Sequence, residues 1–426
     1  MKIIRQILLV SGIVSILGLM AGCEGDPKTQ LYVYPEPVVE SIYPTTGYTG
    51  SQLAILGENF GDRVEPVKVF FGDIEAKVLA CKNDMIIVVV PEDARTCDIS
   101  LKIWNYEYAA AGHFIVADKP VITGLSTDNP SYALFGRKGD VLTITGTSFG
   151  EELDDVKVAV GDMEAEVSAV SDTEIKAVVP GGYGYGEVAV TVRGYQTIGG
   201  RILDPDYVGD ITSYALVNYC QPFKATDDAP LSNWCIPVGW SFNDKFYSDD
   251  NGEKVLMRPL LIEPNGNFKT GCLGFLSNQW SDALHKIGYE NAKLYQTCYL
   301  PAGEYEVTVD VAESALIAGT LEAIAAVSKG KATLPDLQGE YGKNGWTVAD
   351  ESNLFAGGDG SRSYVDLTSD KTITYSADRG SVPVSFKADI PVDCDVTVGF
   401  TGVVKMANGR QGGSVLITGI KVVRIK

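Results

Sequence analysis

The sequence predicts an all-β chain: two small sandwiches in tandem, then one larger β-sandwich at the C-terminal end. Three observations predict it. Residues 37 to about 205 contain the same unit twice. Within each unit apolar and polar residues alternate at the period of a half-buried strand. From Asp206 the repeat stops, and longer alternating runs follow, with little helical periodicity apart from Ser281 to Ile287.

The chain opens on an address. Lys2 and Arg5 precede an apolar run from Ile7 to Met20, which closes on Leu19-Met20-Ala21-Gly22-Cys23. A charged start, a short apolar segment and small residues read as a signal peptide over 1–22 and not as a spanning helix. Cys23 directly after Ala-Gly resembles the lipobox of bacterial lipoproteins. That resemblance implies cleavage before Cys23 and a lipid on its sulfur; the other reading is an ordinary secretory signal with an incidental Cys. Glu24 and Asp26 resemble the acidic surface-export signal of Bacteroides-type lipoproteins, which usually carries a Lys and two adjacent acids; here Gly25 splits the acids. The implied location is the outer membrane, lipid-anchored and facing the exterior. Residues 23–36, with Pro27 and Pro35, read as an extended tether.

Length and charge set the next bounds. A chain of 426 residues suggests two to four domains. Lys and Arg number 35 against 55 Asp and Glu, a net charge of −20. Such a surface disfavours nucleic acid and anionic lipid headgroups, and leans against a strongly sulfated ligand. Of the 8 Cys, Cys23 is assigned to the anchor. Cys81, Cys97, Cys220, Cys235, Cys272, Cys298 and Cys394 remain, an odd set that leaves at least one thiol free. None form CxxC, and their wide spacing does not suggest zinc. Most are expected as small buried hydrophobes; one disulfide is compatible, with the pair left open.

The repeat is specific in its detail. Gly57-Glu58-Asn59-Phe60-Gly61 recurs as Gly146-Thr147-Ser148-Phe149-Gly150, Gly72-Asp73 as Gly161-Asp162, and Pro91 as Pro180, each offset by 89 residues. The starts, Pro37-Val38-Val39 and Pro120-Val121-Ile122, are offset by 83, so the second copy holds six extra residues near Asp128 to Asp140. Short alternating strands with Gly and Pro between them are the pattern of an immunoglobulin-like sandwich. The order Pro-Val-Val, strand, G-x-x-F-G, strand, Gly-Asp, strand, Val-Pro resembles IPT/TIG domains, over 37–118 and 119–205. The motif glycines are expected in turn conformations closed to other residues, and the Phe as a plug of the sandwich. Trp104 is the only Trp in the pair, and catalytic constellations are absent. The repeats therefore read as rigid spacers in preference to partner-binding modules.

The C-terminal domain, 206–426, holds four of the five Trp. Its centre is Ala292 to Val311, read as two strands in a hairpin-like unit around Pro301-Ala302-Gly303. After that corner Tyr305, Val307, Val309 and Val311 take one face, and Glu306, Thr308 and Asp310 the other. Further strands are expected at Leu321 to Val327, Val382 to Ile390, Val396 to Thr401 and Ser414 to Ile425. In the last, the apolar phase changes at Gly419, which suggests a bulge. The pattern resembles a jelly-roll sandwich of the galactose-binding type. The runs YQTCYLPAGEYEVTV and ITGIKVVRI resemble C-terminal domains of Bacteroides-type surface lipoproteins that follow IPT/TIG repeats in Sus-like glycan-uptake loci. The resemblance implies a polysaccharide or oligosaccharide ligand, with a TonB-dependent transporter and a SusD-like protein as partners.

Motifs for chemistry are sparse. His113 and His285 have no partner by spacing and read as structural or surface residues. There is no P-loop, dinucleotide fingerprint, HExxH or GxSxG. A glycosidase needs only two carboxylates, so spacing does not exclude one; a small sandwich fused to spacers argues against it by fold analogy. Gly357-Gly358-Asp359-Gly360 offers one carboxylate where calcium takes six to eight oxygens, so it reads as a bare turn. No cofactor is expected. Sugar recognition uses flat apolar faces ringed by polar groups, and the candidates are Trp240, Tyr247, Trp280, Tyr341 and Trp346. Trp234 and Trp240 share a Pro and Gly corner that favours the core; Trp280 and Trp346 stand in polar surroundings. The function expected is a non-catalytic cell-surface glycan-binding lipoprotein. The alternative is a structural or adhesive lipoprotein with a protein partner.

Overall fold

The computed structural model describes residues 35–226, 234–250, 253–256, 260–261, 271–276, 289–316, 318–343, 345–374, 380–405 and 413–426. Cys23 with the signal and tether, His285, Trp280 and the Ser281–Ile287 stretch lie outside them, and Tyr247 is described by its backbone alone. The chain divides into two compact units, one ending at Asp118 and the other beginning at Lys119.

The first unit is one repeat. Its principal strands run Val38–Tyr43, Gln52–Glu58, Met85–Val89, Ile74–Lys82, Val67–Phe71, Cys97–Ile103 and Tyr106–Val116 across the ladder. The second repeat carries the same order from Val121–Thr127 to Tyr195–Leu203. Even a register shift recurs, between Val78 and Ala80 and again between Val167 and Ala169. The alternating residues fill each sandwich: Leu53, Ile55, Val69 and Ile99 in one, Leu142, Ile144, Val158 and Val188 in the other, all buried. Phe60 and Phe149 are fully buried plugs.

The two motif glycines are needed for different reasons. Gly61 and Gly150 have φ of +80° and +79°, where a side chain is strained. Gly57 is required by space: a Cβ there would sit 1.9 Å from the Val38 carbonyl oxygen and 2.5 Å from Phe60. Gly146 repeats this, 2.1 Å from Val121 O and 2.3 Å from Phe149.

The C-terminal domain is a two-sheet sandwich. One sheet runs Trp234–Cys235, Leu260–Leu261, Cys272–Leu276, Gly413–Arg424, Gly303–Leu316 and Thr372–Ile373, with Val382–Ile390 also paired to Gly303–Leu316. The other runs Ser241–Phe242, Tyr289–Leu300, Cys394–Lys405, Thr320–Lys329 and Tyr364–Asp366. Tyr305, Val307, Val309 and Val311 all point into the shared core, as their alternation requires. Burying each such side chain contributes roughly 1.5–3 kcal/mol.

The hairpin expected at Pro301–Gly303 is corrected. Tyr289–Leu300 pairs with Cys394–Lys405, whereas Gly303–Leu316 pairs with Val382–Ile390 and Gly413–Arg424. The corner carries the chain from one sheet to the other. The Tyr305 hydroxyl donates to Pro301 O at 2.6 Å, and the Asp393 carboxylate accepts the Ala302 N–H at 2.8 Å, which fixes the crossing. Gly303 is needed because a Cβ would meet the Lys426 carbonyl oxygen at 2.5 Å. A Pro-Ala-Gly corner reverses a hairpin and crosses a sandwich equally well; the partners of the two strands decide which.

The bulge near Gly419 is present. Asp310 faces Gly419 and Val311 faces Ile417, so Thr418 is the extra residue. The shift returns Ile420 and Val422 to the same core as Val415 and Ile417.

Within the second unit the second repeat and the sandwich share one core. Phe135 and Leu203 of the repeat are buried in the same cluster as Leu300 and Tyr305 of the sandwich. Tyr132 stacks on Tyr299, and Ser213 Oγ donates to the Tyr185 hydroxyl at 2.8 Å. Arg137 pairs with Asp206 at 2.7 Å, and Arg201 donates to Ser213 O at 2.6 Å. Tyr132 and Phe135 both come from the region of the six-residue insertion, which the first repeat lacks.

Candidate functional site

The outer face of the five-stranded sheet is covered over two of its strands, Thr320–Lys329 and Cys394–Lys405. Glu322, Ile324, Ala326 and Ser328 on one strand, and Thr397, Thr401 and Val403 on its neighbour, point away from the sandwich core and are nevertheless buried. Residues 330–363 form a strap over them. Leu334, Leu337, Val348 and Leu354 of the strap pack on Ile324, Ala326 and Val403 in a small separate cluster. Small residues on the sheet leave room for these side chains.

Side chains of the sheet then tie the strap down. Thr401 Oγ1 donates to Pro335 O at 3.0 Å and Thr397 Oγ1 to Gly330 O at 2.6 Å. Asn291 accepts the Leu337 N–H at 2.7 Å and donates to Leu337 O at 3.2 Å. Lys293 Nζ reaches Leu334 O at 2.6 Å and Asp336 at 2.8 Å. Glu322, with its side chain 1% exposed, accepts from Lys371 Nζ at 2.8 Å, Gly342 N at 3.0 Å and Thr368 Oγ1 at 3.1 Å. A buried carboxylate with three donors is held firmly in place.

The strap contains the hairpin Leu337–Glu340 and Gly345–Val348. Trp346 lies opposite Gly339, where a Cβ would approach Trp346 Cα to 3.1 Å. Tyr341 sits in the turn and donates its hydroxyl to Leu337 O at 2.6 Å. Both rings are half-buried and pack against the same apolar cluster, as do Tyr295 and Tyr364. Lys405 Nζ stands 4.9 Å from the Tyr341 ring centre and pairs with Glu290 at 3.2 Å. Burial, with help from Glu290 and Asp336, pushes the Tyr341 phenol up to about 12. The result is a pair of aromatic side chains, each partly buried on one cluster, with Lys405, Glu290 and Asp336 around Tyr341. It can lie against a flat apolar face and exchange hydrogen bonds with hydroxyls around it.

Trp346 and Tyr341 are thus brought together. Trp240 is not available and is a correction: it is 5% exposed, its indole stacks on Phe400 at 5.9 Å and 22°, and its N–H donates to Asn218 O at 3.0 Å. The turn through Pro237 and Gly239, at φ +77°, aims it into the core. Tyr247 begins the strand Tyr247–Asp250, and Trp280 lies outside the described residues. Tyr295 and Tyr364 were missed. The signal for Tyr295 was available, since it alternates with the inward Leu294 and Gln296.

Other expected features resolve simply. Asp359 accepts the Ser361 N–H at 3.0 Å, so the lone carboxylate of the Gly-rich turn serves that turn. Among the described residues no group of three or more His, Cys, Asp or Glu is placed to hold a metal ion. His113, for which spacing offered no partner, meets Asp98 across the ladder at 2.8 Å. Cys81, Cys97, Cys220, Cys298 and Cys394 are free thiols; Cys81, Cys235 and Cys272 are buried, Cys220 is exposed and the others are intermediate.

Residues 37–114 and 120–203 match the IPT/TIG domain family, so the chain contains two IPT/TIG domains. Residues 217–375 match a family described as Domain of unknown function (DUF5013). Fibrocystin-L of Mus musculus is 25% identical over 179 residues, 42% of this chain, and Fibrocystin-L of Homo sapiens 26% over 116 residues, 27% of it. The chain spans only 4% and 3% of the length of these relatives. Among solved structures, the surface glycan-binding protein PbSGBP-B from Prevotella bryantii is 15% identical with a TM-score of 0.22, covering 92% of this chain and 99% of that one. SGBP-B from a complex xyloglucan utilization locus in Bacteroides uniformis is 13% identical with a TM-score of 0.20, covering 92% and 100%. The plexin A4 extracellular region is 17% identical with a TM-score of 0.27, covering 40% and 18%.

Proposed function

We propose that this chain is a non-catalytic surface lipoprotein that captures a saccharide on the strap of its C-terminal sandwich. The observation that carries the reading is the seating of Trp346 and Tyr341, both partly buried, on one apolar cluster, with Lys405 beside the Tyr341 ring. Rings fixed this way lose little freedom on binding, which favours affinity. The non-catalytic part is supported by the fate of the deeply buried carboxylates. Glu322 is committed to Lys371 and Thr368, and Glu313 accepts a hydrogen bond from Ser414. Attachment at Cys23 and an outward-facing outer-membrane location rest on the lipobox and the acids after it. Hand-over to a TonB-dependent transporter beside a SusD-like protein rests on the C-terminal resemblance. In this reading the first repeat is a spacer and the second is the foundation of the binding domain.

A glycan array probed with the mature chain tests the reading. Binding to a saccharide that Trp346→Ala weakens about thirty-fold, with an unchanged melting temperature, supports it. Absence of any saccharide binding, or binding indifferent to Trp346 and Tyr341, overturns it. Capture of a protein partner through the same strap would favour the adhesive alternative.

A further inference from the structure

The first repeat turns an apolar sheet face outward where the second turns a polar one. The sheet runs Val38–Tyr43, Gln52–Glu58, Met85–Val89 and Ile74–Lys82. Leu53, Ile55, Ile86 and Val88 point into the core. Period-two alternation therefore sends Ala54, Leu56, Met85, Ile87 and Val89 to the outer face. The ladder sets them in rows. Tyr43, Ala54, Ile87 and Ala80 form one, and Ser41, Leu56, Met85 and Lys82 the next. Tyr43 is 72% exposed, and Leu79, the extra residue at a register shift, is 41% exposed.

The second repeat builds the same ladder with other side chains. The offset of 89 puts Thr143 and Thr145 at the positions of Ala54 and Leu56, and Glu174 and Lys176 at those of Met85 and Ile87. Ser126 stands opposite Thr143 as Tyr43 stands opposite Ala54. Val89 keeps an apolar counterpart, Val178. An antiparallel sheet with one face on a core gives the other face to water and makes it polar. The fold does not demand apolar residues here, since the second repeat forms without them. A contiguous exposed apolar set marks a contact surface, where a single side chain would not.

The edges of the face select the occupant. Glu40 stands exposed at the register shift of the edge strand, next to Ser41. Lys82 stands exposed at the other side of the sheet, in the row of Ser41. Among the described residues neither forms an ion pair. Two copies packed face to face about a two-fold axis parallel to the strands set the first strand of each over the fourth of the other. Glu40 of one copy then meets Lys82 of its partner at both edges, around apolar rows that cover one another. A two-fold axis across the strands would set Lys77 against Lys82 instead. Glu58 and Asp84 lie at one end of the face, open to water. Four strands about 4.8 Å apart and three rows about 6.8 Å apart give about 400 Å² in plan, roughly half of what each partner of a standard interface buries. The pairing is accordingly weak, in the micromolar range.

We infer that the first repeat is a self-association surface: two copies of this chain pack through this sheet face about a two-fold axis along the strands. The surface lies in the first unit, uses no residue of the strap, and stands whether or not the strap binds a saccharide.

Sedimentation of the mature chain carrying Cys23→Ala tests it, from about 1 to about 200 μM, the range over which a weak pair dissociates. Physiological salt screens the repulsion of two chains of net charge −20. A reductant keeps the exposed Cys220 from cross-linking them. The mass should rise towards twice that of one chain. Leu56→Thr with Ile87→Lys, the second repeat's own residues, should weaken association about ten-fold or more with the melting temperature within a few degrees. Glu40→Lys and Lys82→Glu should each weaken it, and the two together should restore it. These exposed positions keep the test valid if the Leu56 and Ile87 pair fails to fold. A monomer throughout the range, association indifferent to Leu56 and Ile87, or a charge exchange that restores nothing overturns the inference. So does a chain that pairs only once residues 23–34 are removed, which would make the tether the occupant of the face.

Discussion

Tyr132 of the second repeat lies flat against Tyr299 of the C-terminal sandwich, with ring centres 4.1 Å apart and planes 18° apart. Phe135 packs on the same tyrosine at 5.6 Å and is fully buried. A spacer that merely displayed the sandwich would have no use for such a seam. Phe135→Ala should therefore cost about 3–5 kcal/mol in chemical denaturation, as a core aromatic does. A fragment 119–426 should be more stable than 206–426, which leaves Tyr299, Tyr207 and Tyr214 without their cover. Equal denaturation midpoints for the two fragments would show that the seam is energetically empty.

Trp240 and Trp346 should behave oppositely. Trp240→Ala removes a ring stacked on Phe400 and should destabilise the sandwich by about 3–5 kcal/mol. Trp346→Ala should leave the melting temperature within a few degrees and act on ligand affinity. Calorimetry on both variants separates them; a large stability loss at Trp346 would return it to the core.

The buried Glu322–Lys371 pair gives an asymmetric test. Glu322→Ala strands Lys371, whose side chain is 22% exposed, and should cost about 3–5 kcal/mol. Replacing both, Glu322→Leu with Lys371→Met, should recover most of the loss, because an apolar pair pays no desolvation of charge. A double variant no better than the single one would mean that Gly342 and Thr368 are the partners that matter.

Tyr341 supplies a pH signature. Its folded pKa, about 12, lies above the ordinary value of 10.0. The neutral phenol is favoured by the fold, so its contribution is whole below pH 10 and is lost as pH rises towards 12. The stability difference between the natural chain and Tyr341→Phe should shrink between about pH 9 and about pH 11.5, measured by urea denaturation. An unchanged difference would mean that the phenol ionises freely.

Cys23→Ala tests the anchor. Incorporation of labelled palmitate should disappear, and the protein should leave the membrane fraction, because the thiol is the attachment point. Palmitate on the variant would end the lipoprotein reading.

Much of the fold was legible because its signals are local. The offset of 89 residues located equivalent strands, and the phase break at Gly419 located the bulge. The core face of Gly303–Leu316 followed from period-two alternation alone. The site was legible only in part. Trp346 could be named as an aromatic in polar surroundings, with Tyr341 among the candidates, but Trp240 carries the same letter as Trp346 and is buried under Phe400 and Phe223.

By itself, the sequence determined the all-β class, the two equivalent repeats and the apolar face of each strand, because side-chain alternation is a property of neighbouring residues. Only the tertiary structure decided three things. Pro301–Gly303 crosses between sheets instead of closing a hairpin, since strand partners come from residues 382–424. The outer face of Thr320–Lys329 is buried, since residues 330–363 fold back over it. The six extra residues of the second repeat form an interface, since Tyr132 and Phe135 meet a tyrosine more than 160 positions away. Each depends on contacts between segments far apart in the chain, and local periodicity holds no information about which distant surface a side chain will meet.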